Sequence, residues 1–343
     1  MSYDSDLVAL FKELAPAMGA TLKIEPSYQR SGMLEFSNGS VLFFRSNHIN
    51  INIAGNARMA RDKSFLSHFL AGMGFCTLPE ITVSRHDLNR GVIAPSKLGN
   101  IIQFAARNGW RTIVKPNAKT QGRGVRFTTD RQQLLEAVMN TLTIDGVCIV
   151  QQYCAMPEYR LVVLNGKVIQ AYARKPMTIT GDGSSTVKAL LKQKTDATSR
   201  DRNEDTSSEL FSMAERVLKS VGRQMDDIAH FGEQIVVAEI ANLSAGGVAT
   251  CAMQSLHPRW KELAVDLARR CGLLLCGVDI FIHDGSDGNS DYRVIELNSA
   301  PGLDDYLFRG EEQKARVLAF YREVLETAAS TKSSAAANQQ GLK

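Results

Sequence analysis

Apolar residues recur along this chain at two periods, and the switching between those periods outlines its elements. Leu7, Val8, Leu10, Phe11 and Leu14 fall at helical spacing behind Asp4 or Ser5 as a cap, and VLFFRS at 41–46 reads as a strand. DKSFLSHFLAGMG (62–74) predicts a helix capped by Asp62, burying Phe65, Leu66, Phe69 and Leu70, stopped by Gly74 and followed by the turn TLPE. A helix over 101–108, strand TIVKP, a glycine-containing loop, strand VRFTT and a helix from Asp130 come next; Asp130 and Gln133 have the capping-box spacing. VCIVQQY (147–153) is a strand. RLVVL and KVIQAYAR flank Asn165 and Gly166, a dipeptide suited to positive φ at both positions, which predicts an antiparallel hairpin. From about 182 to 233 the chain turns polar, and TDATSRDRNEDTSSE is expected as an exposed loop before a helix over 210–221, serving as a lid or an insertion. Strand EQIVVAEI, the small-residue loop NLSAGG, a helix over 258–272, the strands GVDIFI and YRVIELN, and a helix ending near Ala328 complete the order. TKSSAAANQQGLK reads as a disordered tail. The fold class is α+β, without internal repeats.

The length of 343 residues gives room for two or three lobes. With 44% hydrophobic and 22% charged residues, disordered, collagen-like and coiled-coil chains are excluded. The net charge of +4 comes from interspersed residues of both signs, so it carries no nucleic-acid footprint and suits an anionic small ligand. No two of the six cysteines form a CxxC pair, which argues for reduced core thiols rather than a zinc ribbon or a disulfide framework. The N-terminus lacks the basic start and apolar stretch of a signal peptide, and no run reaches 18 apolar residues. A soluble, cytoplasmic protein with no membrane partner is expected.

Four segments could carry chemistry. IVKPNAKTQGRGV places Lys115 at a strand end before a loop containing Lys119, Gly122, Arg123 and Gly124; glycines let backbone N–H groups approach phosphate oxygens, and the cations offset their charge. The loop has neither Walker A nor GxGxxG spacing, and taken alone it reads first as a hairpin turn with a solvated basic face. In the last two strands, Glu296 and Asn298 share a face by parity, and Asp279 lies near them in the partner strand. Two carboxylates and an amide oxygen among apolar residues suit a hard cation such as Mg2+. The connecting DGSDGNSD fails the EF-hand order, because Asn289 and Ile295 stand where Gly and Glu belong. In the hairpin MPEYRLVVLNGKVIQAYARKP, Glu158 and Arg160 share one face, whereas a regular two-residue hairpin puts Arg174 on the other; a bulge or a strand end is needed to unite them, and half-exposed edge-strand charges explain them equally. The loop ANLSAGG could offer Asn242 and Ser244 to an anion, or be an ordinary loop. No Ser, His and Asp set declares a hydrolase triad.

Taken in order, ARDKSFLSHFLAGMGFCTLP, IVKPNAKTQGRGV, VQQYCAMPEYRLVVLNGKVIQAYARKPMTITGDGSSTVKALL, ANLSAGGVA, CGVDIF and VIELNSAPGL resemble the ATP-grasp superfamily of carboxylate-amine ligases. The likeness is closest to the ATP-grasp regions of cyanophycin synthetases and glutathione-forming ligases, and it covers roughly residues 55–325. It implies an ATP-grasp fold, two α+β lobes clasping a nucleotide. An N-terminal pre-grasp lobe (1–95), a small lid lobe (96–155), a central and C-terminal lobe with the metal site (156–328) and the tail (329–343) are expected. The cofactors implied are ATP and Mg2+, with Mn2+ as a substitute. By resemblance, Lys63 and Lys115 approach the nucleotide phosphates, and the loop 119–125, with Lys119, Gly122, Arg123 and Gly124, closes over them. Gln151, Gln152 and Tyr153 fall on the hinge strand beside adenine, Glu158 holds the ribose, and Asp279, Glu296 and Asn298 are metal ligands. Arg160, Arg174, Asn242 and Ser244 handle the phosphoryl group and the acyl substrate.

These implications lead us to expect an ADP-forming ligase that joins a small-molecule carboxylate, of an amino acid or short peptide, to an amine through an acylphosphate; the family also suggests a homodimer. Activating a carboxylate by phosphorylation needs charge neutralisation and exclusion of water, with no side-chain nucleophile. A small-molecule kinase acting on a hydroxyl, or a nucleotide-binding protein without turnover, are the rival classes. Two departures stand out. Cyanophycin synthetases continue into a Mur-ligase-like domain with a Walker A loop that this sequence lacks, so polymer synthesis of that kind is not expected. Gln151 or Gln152 also stands where the family commonly has an acid on the hinge strand. Residues 1–55 match no motif and are expected to shape acceptor specificity.

Overall fold

The apolar stripe of α1 (Asp6–Ala17) is covered by a four-stranded antiparallel meander, β1 (Ala20–Ile24), β2 (Ser31–Phe36), β3 (Val41–Arg45) and β4 (His48–Ile49). Alternation decides which side chains go inward: Leu42 and Phe44 are buried against Leu7, Phe11 and Leu14, while Phe43 between them faces out. The computed structural model describes residues 6–89, 91–120, 122–198, 204–238, 241, 247–302 and 311–340; the expected caps Asp4 and Ser5 lie outside them.

Two helices follow, α2 (Ala54–Arg61) and α3 (Lys63–Gly72), the second capped by Asp62, whose carboxylate accepts from the Phe65 N–H at 3.0 Å. Leu66 and Leu70 are its buried face, but Phe65 and Phe69, expected inside, are 40% and 47% exposed. They lie one residue back from the buried pair, about 100° around the helix, and pack on each other with ring centroids 4.5 Å apart. Part of the expected turn TLPE is a strand start: β5 (Glu80–Ser84) begins at Glu80. After the small hairpin of β6 (Leu88–Asn89) and β7 (Val92–Ile93) come α4 (Pro95–Arg107), β8 (Thr112–Pro116), β9 (Arg126–Thr128), α5 (Arg131–Ile144) and β10 (Val147–Gln152). Strands β5, β10, β8 and β9, in that order, form a second antiparallel sheet whose core is supplied by Ile101 and Ala105 of α4 and Leu134, Val138 and Leu142 of α5. This sheet therefore draws on residues before position 96. Asp130 caps α5 through the Gln133 N–H, while the Gln133 side chain accepts from Thr129 rather than closing a box on Asp130.

The third sheet is central. β11 (Glu158–Leu164) and β12 (Lys167–Lys175) are joined by Asn165 and Gly166, with φ of 46° and 75°, as the hairpin requires. Next, β13 (Thr178–Thr180), α6 (Val187–Thr198), α7 (Glu204–Ser220) and β14 (Gln234–Val236) build a unit with its own core of Ile179, Leu191, Ala214, Leu218 and Ile235. The polar stretch expected as a loop thus carries helix on both sides of 199–203, because apolar residues at helical spacing on α6 and α7 meet each other. Then come β15 (Val248–Cys251), α8 (Pro258–Arg270), β16 (Leu275–Ile282), β17 (Tyr292–Asn298) and α9 (Glu311–Gln340). The sheet order is β15-β12-β11-β16-β17, all antiparallel.

One face of this sheet packs Leu161, Val163, Val278 and Ile280 on Trp260, Ala264 and Leu267 of α8. The other packs Val162, Leu164 and Leu275 on Phe320, Tyr321 and Val324 of α9 and on the α1 meander, in one continuous core. Helix α9 runs to Gln340, beyond the expected end near Ala328, through an Ala335–Ala337 run of high helix propensity. Of the cysteines expected as core thiols, Cys148 and Cys276 are buried and all six are free, but Cys76 and Cys251 are exposed. Burial pushes the Cys148 thiol up to about 12. No described helix is long and apolar enough to cross a membrane.

Phe11 meets Phe44 and Tyr321 edge-on, at 4.9 and 5.9 Å, and so ties α1 to both the meander and α9. Phe11→Ala should cost roughly 3–5 kcal/mol, while Phe43→Ala on the outer face should stay within about 0.5 kcal/mol. Denaturant titration of the two variants checks this, and equal losses would contradict the packing described.

Candidate active site

Two bulges set the chemistry of the central sheet. Near the hairpin turn Leu164 pairs with Lys167 and Val163 with Val168, but Val162 pairs with Gln170, leaving Ile169 as the extra residue. From there on the register is shifted by one, so Glu158 lies opposite Arg174. Of the bulge or strand end that the sequence called for, the structure has the bulge, and Glu158, Arg160 and Arg174 share a face. A second irregularity between Asp279 and Ile280 leaves Asp279 paired with Glu296 and Gly277 with Asn298. Arg160 is itself opposite Asp279. The loop DGSDGNSD is a polar strand connection: Asp284 accepts from the Ser286 N–H at 2.9 Å, and Asp287 from the Asn289 N–H at 2.8 Å.

On that face Arg160 grips Asp279 with Nε and a terminal nitrogen together. Arg174 Nη1 reaches Glu158 at 2.8 Å and Asp279 at 3.3 Å, and Asn298 Nδ2 donates to Asp279 at 3.2 Å and Glu296 at 3.1 Å. Burial pushes Asp279 up, but the guanidiniums of Arg160 and Arg174 outweigh it and hold the carboxyl below the ordinary aspartate range. Glu158 shows the opposite balance: burial pushes it up to about 7 against the pull of Arg174. Arg174 Nε is buried without a hydrogen-bond partner.

The other wall comes from α3 and the second sheet. Lys63, at the start of α3, donates to the Lys119 carbonyl at 2.7 Å and lies 3.5 Å from Glu296, tying the glycine loop to the carboxylates. Lys115 is buried at 6% exposure, and its Nζ donates to Gln151 Oε1 at 2.9 Å. Burial pulls its pKa below the ordinary lysine value, while Glu296 and Glu80 oppose that shift. Gly122 and Gly124 have φ of 71° and 74°; a side chain on Gly124 would also press on Ile144 and Pro116, so the loop needs glycine there. Tyr153, just beyond β10, has Phe127 at 4.8 Å and the Arg111 guanidinium at 4.6 Å from its ring.

Most of these groups line one cleft of about 830 Å³. Lys63, Lys115, Lys119, Gly122, Arg123, Gln151, Gln152, Tyr153, Glu158, Arg160, Arg174, Asp279, Glu296 and Asn298 contribute to its wall. Gly124 sits in the same loop, beside Pro116. Asn242 and Ser244 lie outside the described residues. Four residues at the site had escaped the sequence reading: Glu80, Arg111, Phe127 and Asn117. Asn117 is buried, accepts from the Ser64 N–H at 2.9 Å and donates to Asp62 at 2.8 Å, joining α3 to β8. Their only sequence signal was position next to the strands already singled out.

Among the described residues no three His, Cys, Asp or Glu side chains gather as a metal site. Two carboxylates and one amide do gather, at Asp279, Glu296 and Asn298. Their oxygens have the chemistry of a hard-cation site. Around them four buried or half-buried cations, Lys63, Lys115, Arg160 and Arg174, face three carboxylates, those of Glu158, Asp279 and Glu296. Such a site attracts a cation together with an anion rather than alone.

Residues 238–316 match the RimK-like ATP-grasp domain family. The chain is 28% identical over 215 residues to the glutathione biosynthesis bifunctional protein GshAB of Clostridium perfringens, covering 60% of this chain and 28% of that protein. It is 30% identical over 229 residues to the cyanophycin synthetase of Geminocystis herdmanii, covering 61% and 26%. The chain thus spans little more than a quarter of the length of these relatives. Among solved structures, a bifunctional glutathione synthetase from Pasteurella multocida superposes with a TM-score of 0.56 at 18% identity, over 93% of this chain and 44% of that one. A D-alanine–D-alanine ligase from Bacillus anthracis superposes with a TM-score of 0.51 at 13% identity, over 84% and 72%. The fold is the ATP-grasp fold, and the chain carries a RimK-like ATP-grasp segment.

Asp62 caps α3 and holds Asn117, so Asp62→Ala should cost about 1–2 kcal/mol and Asp62→Asn, which keeps an acceptor oxygen, much less. Thermal unfolding of the pair checks this; equal midpoints would remove the cap from the account.

Proposed function

We propose that the chain is an ATP-dependent ligase that joins a carboxylate to an amine, with release of ADP and phosphate. The observation that carries this reading is the single cleft in which Arg160, Arg174, Lys63 and Lys115 surround Asp279, Glu296 and Asn298. It has the cations to steady a moving phosphoryl group and an oxygen donor set for its counter-ion. Amide-forming relatives with the same fold support the same conclusion.

In this reading Lys63, Lys115 and the loop 119–125 bind the ATP phosphates, and the backbone of 151–153 lies along the adenine. Glu158 accepts from the ribose hydroxyls. Asp279, Glu296 and Asn298 would hold Mg2+, which supplies Lewis-acid neutralisation of the phosphate oxygens. Arg160 and Arg174 orient the substrate carboxylate and steady the charge as its oxygen bonds to the γ-phosphorus and the bond to ADP breaks. The amine nitrogen then bonds to the acyl carbon of this acylphosphate, phosphate departs with the oxygen, and the nitrogen gives up a proton. Closing the glycine loop keeps water from taking the amine's place. Asn242 and Ser244 would assist at the acyl group. The substrates are an amino acid or short peptide and an amine.

Incubation with Mg-ATP and a pooled panel of amino acids and short peptides should give ADP in step with a product whose mass is that of two components minus water. Hydroxylamine should trap a hydroxamate. A phosphorylated product without hydroxamate would instead make the protein a kinase, and no turnover with tight ATP binding would make it a binding protein. Glu296→Ala and Asp279→Ala should each lower turnover by at least about a hundredfold. Wild-type rates in either would sink the metal assignment. Lys115→Ala should weaken ATP binding in calorimetry.

A further inference from the structure

Lys115 is buried in β8 beside β10 and needs a compensating charge. Register shows where that charge comes from. Lys115 pairs with Ile149 and Gln151 with Ile113, so the two polar side chains lie diagonally on one face of the second sheet, and on the other side of β10 Gln151 pairs with Glu80. Lys115 Nζ donates to Gln151 Oε1 at 2.9 Å, and Gln151 Nε2 donates to Glu80 Oε2 at 2.9 Å. Gln151 is only 4% exposed. An ammonium is donor-only and a carboxylate is acceptor-only, so an amide between them has one orientation: oxygen to the lysine, nitrogen to the glutamate. Burial pushes the Glu80 carboxyl above the ordinary glutamate value, while Lys115, Gln151 and Ser67 draw it back toward the ionised form. Two further carboxylates act on Lys115, Glu296 more strongly than Glu80 and Glu158 less so, but in the proposed reading Glu296 serves the metal and Glu158 the ribose, whereas Glu80 serves neither.

We propose that Glu80 is the positioning residue of the nucleotide-binding lysine: acting through Gln151, it holds Lys115 charged and aimed into the cleft. The inference rests on the reading that Lys115 contacts the ATP phosphates. Glu80 is not among the residues that line the cleft; its carboxylate supplies, from β5 on the far side of β10, a charge for the buried ammonium.

The test is Mg-ATP affinity by calorimetry on the full chain, with thermal midpoints, for four variants. Lys115→Ala tests the underlying reading, and wild-type affinity in it would overturn that reading rather than this inference alone. Glu80→Gln keeps the shape and removes the charge; it should weaken ATP binding about tenfold, the scale of a hydrogen bond to a charged group. Gln151→Leu, which breaks the relay with both charges in place, should lose a similar factor. The exchange double variant Glu80→Gln/Gln151→Glu returns a carboxylate to the lysine and an amide to hold it, and should recover most of the affinity. A merely structural role for Glu80 would not be rescued by moving the charge. Weak binding in Lys115→Ala with wild-type binding in Glu80→Gln, or a double variant no better than Glu80→Gln alone, would overturn the proposal. Should Glu80→Gln prove unstable, the folded double variant still decides: affinity near wild type supports the relay, and a tenfold loss refutes it.

Discussion

Asp279 is 3% exposed in the middle of an antiparallel sheet, and it stays ionised because two guanidiniums meet it there. Much of the cleft follows from that pairing. Arg160 comes from the adjacent strand, so the two can face each other only in the observed register, and Arg174 comes from one strand further out. Without the extra residue at Ile169, Arg174 would point to the face occupied by α8, into an apolar core. A buried guanidinium without an anion costs several kcal/mol. The bulge is thus required by electrostatics as much as by the backbone, and hairpin and site specify one another.

The same face explains where the site sits. Going up β11, Val162 and Leu164 are covered by α9 and the α1 meander, while Arg160 and Glu158 line the cleft instead. One strand therefore carries both a core half and a chemical half, divided where the helical cover ends. Its four cations are matched by the carboxylates of Glu158, Asp279 and Glu296 on the wall and of Glu80 behind Lys115, so the cleft suits a polyanion accompanied by its own counter-ion, as a magnesium nucleotide is.

Much of this was legible in the sequence because the signals were local. Parity along two strands put Asp279, Glu296 and Asn298 together, and Asn-Gly named the hairpin. That a bulge or a strand end was needed could be deduced from Arg174, but not which of the two or where, since the choice of Ile169 depends on which neighbours its side chain packs against. What was lost depended on contacts distant in sequence. Phe65 and Phe69 look buried by hydrophobicity alone, and only the partner surface offered to Leu66 and Leu70 decides otherwise. The stretch 195–209 looked like a loop because its apolar residues are sparse, yet α6 and α7 need only to bury one another. Glu80 was hidden in a Pro-Glu pair that reads as a turn, and its role exists only because β5 lies beside β10.

The two halves of the cleft are joined differently from the way each is held internally. The second sheet has its own apolar core around Leu134 and Val138, separate from the two cores that flank the central sheet. Named contacts across the cleft are polar: Lys63 with Glu296 and with the Lys119 carbonyl, and Asn117 with the start of α3. Polar contacts can be exchanged for water at little cost, whereas opening an apolar core cannot. The second sheet can therefore shift over the central one without either core being exposed, with α3 as the shared element. On the proposed reading, that division of labour would keep Asp279 and its arginines fixed on the central sheet while the glycine loop and Lys115 meet a nucleotide from the other side, as phosphoryl transfer shielded from water demands.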